Sequence, residues 1–251
     1  MIKAHKRLAL FDIDGTILYG GPLWKESFYQ AMQVHFPGFV MPETSFNGKT
    51  DLQIAFEILQ TSVSIDGDLN DPALRRKLEA IIDTYLGIAD ELLSARKHEV
   101  TVLPGVTTLL DKLKQFTDAG IVVGLLTGNV RRGALSKLAS VGLEHHFDFS
   151  GFAGVFGDDN PDRYQLPLLA QQRALQECGL HFREKDIVII GDTIHDVNCG
   201  KSINARSIAV GTGKGVCQVE LRNQNPDYYF EDLSDTDAVI RSILEPLEKT
   251  K

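Results

Sequence analysis

Two aspartates one residue apart, Asp12 and Asp14, close the apolar run Leu8-Ala9-Leu10-Phe11 and precede Gly15-Thr16. If that run is a buried strand, both carboxylates leave its C-terminal end on the same side. Open α/β sheets bind their ligands at that edge. Carboxylates this close repel one another without a cation, so the pair invites a hard, oxygen-preferring divalent ion such as Mg²⁺. A solvated Asp-x-Asp-Gly turn is the competing reading, because aspartate and glycine are common turn residues. The motif alone supports both readings equally.

Three further segments place polar residues just beyond expected core elements. Thr127-Gly128-Asn129 follows the apolar run Ile121–Leu126 and precedes a helical pattern. A hydroxyl, an amide and free backbone N–H groups at a helix start form a phosphate cradle, although N-capping suits the same residues. Gly191-Asp192-Thr193 follows the apolar run from Ile187 to Ile190, with Asp196 four residues after Asp192. Asp192 could share a cation with Asp12, and Asp196 could hold a metal-bound water or stabilise a helix N-terminus. The acidic turn-forming loop from Gly157 to Arg163 holds one cation, Arg163. A site with several carboxylates and a phosphate needs such a fixed positive charge.

Positioning these residues takes alternating strands and helices. From about Thr101, helices are expected over Val106–Phe116, Gly133–Val141, Leu166–Cys178, Val197–Ile203 and Asp235–Leu247. Strands are expected over Ile121–Leu126, Ile187–Ile190 and Ser207–Val210, which argues for a doubly wound parallel sheet. Between Asp14 and Thr101 the periodicity is helical, over Leu23–Phe36, Leu52–Thr61 and Pro72–Leu93, with Asp71-Pro72 as an N-cap and first-turn proline. The expected architecture is therefore α/β: a Rossmann-like core of residues 1–18 and 101–251 with an all-helical insertion over 19–100.

The composition is that of a globular protein, 43% hydrophobic and 24% charged over 251 residues. A formal net charge of −8 gives no basic footprint for nucleic acid or an anionic membrane. Cys178, Cys199 and Cys217 are widely spaced and read as reduced thiols rather than a disulfide frame or zinc site. The N-terminal apolar run meets Asp12 too soon for a signal peptide or membrane span, so a cytoplasmic protein is expected.

Taken in order, Asp12-x-Asp14-Gly15-Thr16, Thr127-Gly128-Asn129, Arg163 and Gly191-Asp192-Thr193-x-x-Asp196 resemble the four motifs of the haloacid dehalogenase superfamily. Within it the chain looks most like the phosphoglycolate phosphatase and β-phosphoglucomutase-like branch, whose helical cap is inserted between the first two motifs. The resemblance implies Asp12 as nucleophile on phosphorus and Asp14 as general acid and then base. It implies Thr127, Gly128 and Asn129 as phosphoryl-binding residues and Arg163 as the third-motif cation. Mg²⁺ would be held by Asp12, the Asp14 backbone carbonyl and Asp192, with Asp196 in support. Much of the family carries lysine in the third motif. Here Lys185 falls at the wrong end of the sheet, and Lys137 reads as a solvated lysine too far up its helix.

Asp14 argues for phosphate esters over halides, because only a leaving alcohol needs a proton. The expected activity is a Mg²⁺-dependent phosphatase acting on a small phosphorylated metabolite, with an intramolecular phosphomutase as the alternative. Neither nucleic acid nor membrane is an expected partner, and monomer and dimer both stay open. In the insertion, Gly48-Lys49-Thr50 lacks the first glycine and the strand of a P-loop. Lys49 could meet an anionic part of the substrate, or the loop could be solvated with Thr50 capping the next helix. Tyr19, Trp24 and Phe28 could line an entrance, although their helical spacing suits packing. His145-His146 has no partners at ligand spacing and reads as a structural or surface pair.

Overall fold

The run Leu8-Ala9-Leu10-Phe11 lies at the centre of a six-stranded sheet. The computed structural model describes residues 6–63, 67–69 and 71–245. The readings of the N-terminal lead-in at residues 1–5 and of the closing helix at residues 246 and 247 lie outside the described residues. In chain order the elements are β1 (Arg7–Phe11), β2 (Leu18–Tyr19), α1 (Leu23–His35), α2 (Asp51–Val63), α3 (Pro72–Arg96), β3 (Thr101–Val102), α4 (Val106–Lys114), β4 (Ile121–Leu126), α5 (Arg131–Ser140), β5 (Gly154–Val155), α6 (Leu166–Cys178), β6 (Ile187–Gly191), α7 (Ile194–Ser202), β7 (Arg206–Val210), α8 (Gln218–Asn223), β8 (Tyr228–Phe230) and α9 (Thr236–Leu244). Short 3₁₀ turns join several of them.

The large sheet is parallel throughout, in the order β5-β4-β1-β6-β7-β8. Its central strands are near-continuous apolar runs because helices cover both faces. One face packs against α4, α5 and α9 through residues such as Leu109, Leu138 and Val239. The other packs against α6 and α7 through Leu166, Ala170 and Cys199. Phe11 pairs in register with Leu125 on one side and Ile190 on the other. The residues that follow β1, β4 and β6, namely Asp12, Thr127 and Asp192, therefore leave the sheet along one edge. The chain builds outward from β1 to β5, then crosses to the opposite side for β6, and such a switch point is where these sheets bind ligands.

Helices α1, α2 and α3 enclose their own apolar centre, with Phe28, Met32, Ile58, Leu78, Ile81 and Tyr85 buried. The chain enters and leaves this block through a two-stranded antiparallel pair, Leu18 opposite Val102 and Tyr19 opposite Thr101. As its sequence suggests, Asp71 caps α3, accepting from Ala73 N at 2.7 Å ahead of Pro72. At the other end of the core, two buried arginines hold the last turn of α9. Arg7 Nε donates to Ile243 O at 3.1 Å and Arg206 Nη1 to the same oxygen at 3.0 Å. Cations at a helix C-terminus satisfy carbonyls that have no intrahelical donor.

The structure adds elements that periodicity does not reveal. β5 is only two residues long and β8 is a half-buried three-residue edge strand, both too short to carry an alternation. Helix α7 begins at Ile194, three residues before the expected start. Thr193 and Asp196 form a capping box there, each side chain accepting from the other's backbone N–H.

Candidate active site

Asp12 continues β1 into the edge, its backbone N–H still donating to Ile190 O at 2.9 Å. Its carboxylate is buried beside two others. Ligand oxygens of Asp12, Asp192 and Asp196 all lie within 4.8 Å of one another. The turn that brings Asp192 so close depends on Gly15, whose φ of +88° favours glycine and whose Cβ would stand 2.4 Å from Asp192 Oδ2. Thr16 Oγ1 donates to Asp192 Oδ1 at 3.0 Å.

Arg163 is brought to this cluster by a 3₁₀ turn ahead of α6, capped by Asp162 through Tyr164 N. It is 4% exposed, and its Nη2 lies 3.2 Å from Asp12 Oδ1 and 2.5 Å from Asp196 Oδ1. Burial works against its charge, and Asp12 and Asp196 more than restore it. Burial also pushes the Asp12 carboxyl above its usual range, with Arg163 pulling it back. Asp192 is pushed well up by burial and then by Asp196 and Asp12. One guanidinium thus pairs with two of the three clustered carboxylates. An all-oxygen donor set with surplus negative charge fits a hard divalent cation. Asp196 has both oxygens engaged, Oδ1 by Arg163 and Oδ2 by Thr193 N and Oγ1. Its capping reading and its support of the cluster therefore coexist.

Thr127 is fully buried at the end of β4, and its Oγ1 accepts from Asn129 N at 3.3 Å and Asn129 Nδ2 at 2.7 Å. This leaves the hydroxyl hydrogen to donate. The Asn129 side chain, expected on a phosphoryl oxygen, is bonded to protein partners in this structure. Its Nδ2 also donates to Asp14 Oδ2 at 2.8 Å, and its Oδ1 accepts from Lys137 Nζ at 2.6 Å.

Lys137 corrects the sequence reading outright. It is 4% exposed rather than solvated, and its Nζ lies 2.7 Å from Asp14 Oδ2 and 4.3 Å from the centre of the Trp24 ring. Lys185 does lie at the far end of the sheet, where it pairs with Asp227 at 3.0 Å. His146 is buried against Asp111 and stacked on His145, away from the edge.

A cavity of about 460 Å³ extends from these groups to the helical block. Tyr19, Trp24, Phe28 and Lys49 line it, so the aromatic residues both pack and face the space. Lys49 Nζ is paired with Glu57 of α2, and Thr50 caps α2 through Gln53 N at 3.1 Å. The loop carrying them sits directly on the core. Asp51 N donates to Gly128 O at 2.8 Å, and Asp51 Oδ2 accepts from Val130 N at 2.9 Å. A Cβ on Gly128 would come within 2.0 Å of Lys49 O, so glycine here is a condition of the close approach. Gly211-Thr212-Gly213-Lys214 after β7, absent from the motifs read in the sequence, also reaches the site. Thr212 Oγ1 donates to Gly15 O at 2.5 Å, and Lys214 Nζ stands 3.7 Å from the centre of the Tyr19 ring. A glycine-rich turn after a buried strand was the signal available.

Asp51 yields a pH prediction. Its carboxyl is pushed up to about 6, chiefly by burial, with Lys137 as the largest opposing influence. A carboxyl raised by folding costs stability once it ionises, so its contribution is favourable at low pH and is lost between 3.8 and about 6. Asp51→Asn, which keeps an acceptor for Val130 N, is expected to raise stability above pH 6 by up to about 3 kcal/mol and to change it little near pH 4. Thermal unfolding of both proteins across pH 4–8 checks this.

The profile of the haloacid dehalogenase-like hydrolases matches residues 9–210, which includes every motif at the sheet edge. The chain belongs to the haloacid dehalogenase-like hydrolase family. The pyrophosphatase PpaX of Bacillus pumilus is 26% identical over 232 residues, 92% of this chain and 94% of that one. Among solved structures, a hydrolase from Pseudomonas syringae superposes with a TM-score of 0.68 at 18% identity, covering 96% of this chain and 100% of its own. A predicted phosphoglycolate phosphatase from Haemophilus somnus superposes with a TM-score of 0.65 at 17% identity, covering 96% and 99%. These superpositions establish the haloacid dehalogenase-like fold, a Rossmann-like core with a helical insertion. No helix among the described residues is long and apolar enough to cross a membrane.

Proposed function

We propose that this hydrolase is a Mg²⁺-dependent phosphatase that removes phosphate from a small phosphorylated metabolite through an aspartyl-phosphate on Asp12. The observation that carries the reading is the buried convergence of Asp12, Arg163, Asp192 and Asp196 at the mouth of a cavity also lined by Asp14 and Thr127. Residues 19–100 would serve as a cap over this cavity, and the unpaired cysteines suit a cytoplasmic setting.

In the first half-reaction Asp12 attacks phosphorus while Arg163 holds its carboxylate and spreads the developing charge. The Thr127 hydroxyl and the Gly128 backbone hold phosphoryl oxygens, and Asp14 gives its proton to the departing alcohol. In the second half-reaction Asp14 takes a proton from the water that opens the acyl phosphate. Mg²⁺, held by Asp12, Asp192 and the Asp14 carbonyl, would neutralise charge on the phosphoryl group.

Release of inorganic phosphate from a panel of phosphate monoesters and pyrophosphate tests the reading. Pyrophosphate belongs on the panel because relatives carry the name pyrophosphatase. A product that keeps its phosphate at a new position would indicate the phosphomutase instead. Chelation is expected to abolish release and added Mg²⁺ to restore it. Asp192→Ala is expected to weaken Mg²⁺ binding in calorimetry. Full activity in chelator would contradict the metal assignment.

A further inference from the structure

Asp14 carries the proton in the proposed reaction, yet a carboxylate on a glycine turn has free rotation unless something holds it. We propose that Lys137 is the positioning residue for Asp14, fixing its carboxylate through Oδ2 at the place from which the proton passes to the leaving group. This rests on the phosphatase reading above.

Three observations carry the proposal. Lys137 Nζ and Asn129 Nδ2 both donate to the same oxygen, Asp14 Oδ2, at 2.7 and 2.8 Å. Asp14 Oδ1 is enclosed and has no hydrogen-bond partner among the described residues, so Oδ2 with its two donors is what fixes the carboxylate, while the side chain as a whole stays 37% exposed. The third is how tightly Lys137 itself is held. Its Nζ donates to Asn129 Oδ1 at 2.6 Å and sits over the Trp24 ring, while its side chain is only 5% exposed. A lysine so enclosed loses the rotamer freedom that makes surface pairs weak. Asn129 adds direction, because its Nδ2 donates to Asp14 and Thr127 while its Oδ1 takes Lys137. The phosphoryl-binding turn and the proton-carrying aspartate are thus locked in one network, with Trp24 of α1 as its outer wall. Positioning of this kind matters because a small misplacement of a reacting group costs rate steeply.

The test exploits the fact that a good leaving group needs no proton. Single-turnover rapid-quench measurements would compare phosphoryl transfer from 4-nitrophenyl phosphate and from glycerol phosphate in the intact enzyme and in Lys137→Met. A transfer rate lowered on the order of 10²-fold for the alkyl ester and only a few-fold for the aryl ester is expected. In an Asp14→Ala background the same substitution should add no further loss with the alkyl ester, since the group it positions is gone. Equal losses for the two esters, no loss for either, or effects that multiply in the double variant would overturn the proposal. If Lys137→Met does not fold, Lys137→Gln keeps a donor in the buried slot and carries the same comparison. Failure of the unsubstituted enzyme to transfer phosphate from these esters and from every member of the panel above would overturn the phosphatase reading and this proposal together.

Discussion

Asp12→Asn is expected to lower turnover of a phosphate ester by about 10⁴-fold or more while the protein folds as well as before. The amide is nearly isosteric but cannot attack phosphorus, so no aspartyl-phosphate forms and both half-reactions stop. Stability should move the other way. Burial disfavours the Asp12 carboxylate and raises its pKa, so in metal-free buffer a neutral side chain relieves a cost that grows as pH rises through that pKa. Steady-state kinetics together with thermal unfolding check the pair of outcomes. Substantial remaining activity in this variant would sink the nucleophile assignment. A loss of activity that merely tracked unfolding would make it a structural effect.

Arg163→Met is the second large expectation, and here activity and stability fall together. Arg163 is the cation within ion-pair distance of both Asp12 and Asp196 among the described residues. Its removal leaves buried carboxylates facing one another, a change that costs about 3–5 kcal/mol when a buried pair is broken. On the proposed mechanism it also removes a donor aimed at charge that develops in the transition state, worth on the order of 10²–10³ in rate. On the proposed metal assignment Mg²⁺ would bind the same carboxylates in the folded state only, so it should recover part of the lost stability. Urea unfolding with and without Mg²⁺ separates these contributions. Unchanged stability in metal-free buffer would mean that Arg163 does not offset the acidic cluster.

The residues legible in the sequence share one property: each follows a core element closely along the chain. Asp12, Thr127 and Asp192 come directly after β1, β4 and β6, so recognising three apolar runs was enough to place them on one edge. Arg163 was reachable because it was the cation of its loop. Lys137 was lost through reckoning along the helix axis. It lies two turns into α5, about 9 Å along the axis, yet helical side chains lean toward the N-terminus and lysine is long enough to reach back. The type of Asn129 suits a phosphate cradle. Only coordinates show its amide already shared among Asp14, Thr127 and Lys137. Asp51 carried no signal at all, because its partner, the Val130 N–H, is 79 positions away. The same limit hid β5 and β8, whose pairing is set by neighbouring strands rather than by their own few residues.

On the proposed mechanism Asp12 becomes phosphorylated during turnover. Peptide mass spectrometry of enzyme acid-quenched while hydrolysing a phosphate ester tests it most directly. One added phosphoryl group is expected on the peptide containing Asp12, present in the intact enzyme and absent from Asp12→Asn. Rapid turnover with that peptide unmodified, or with the phosphoryl group on another residue, would contradict it.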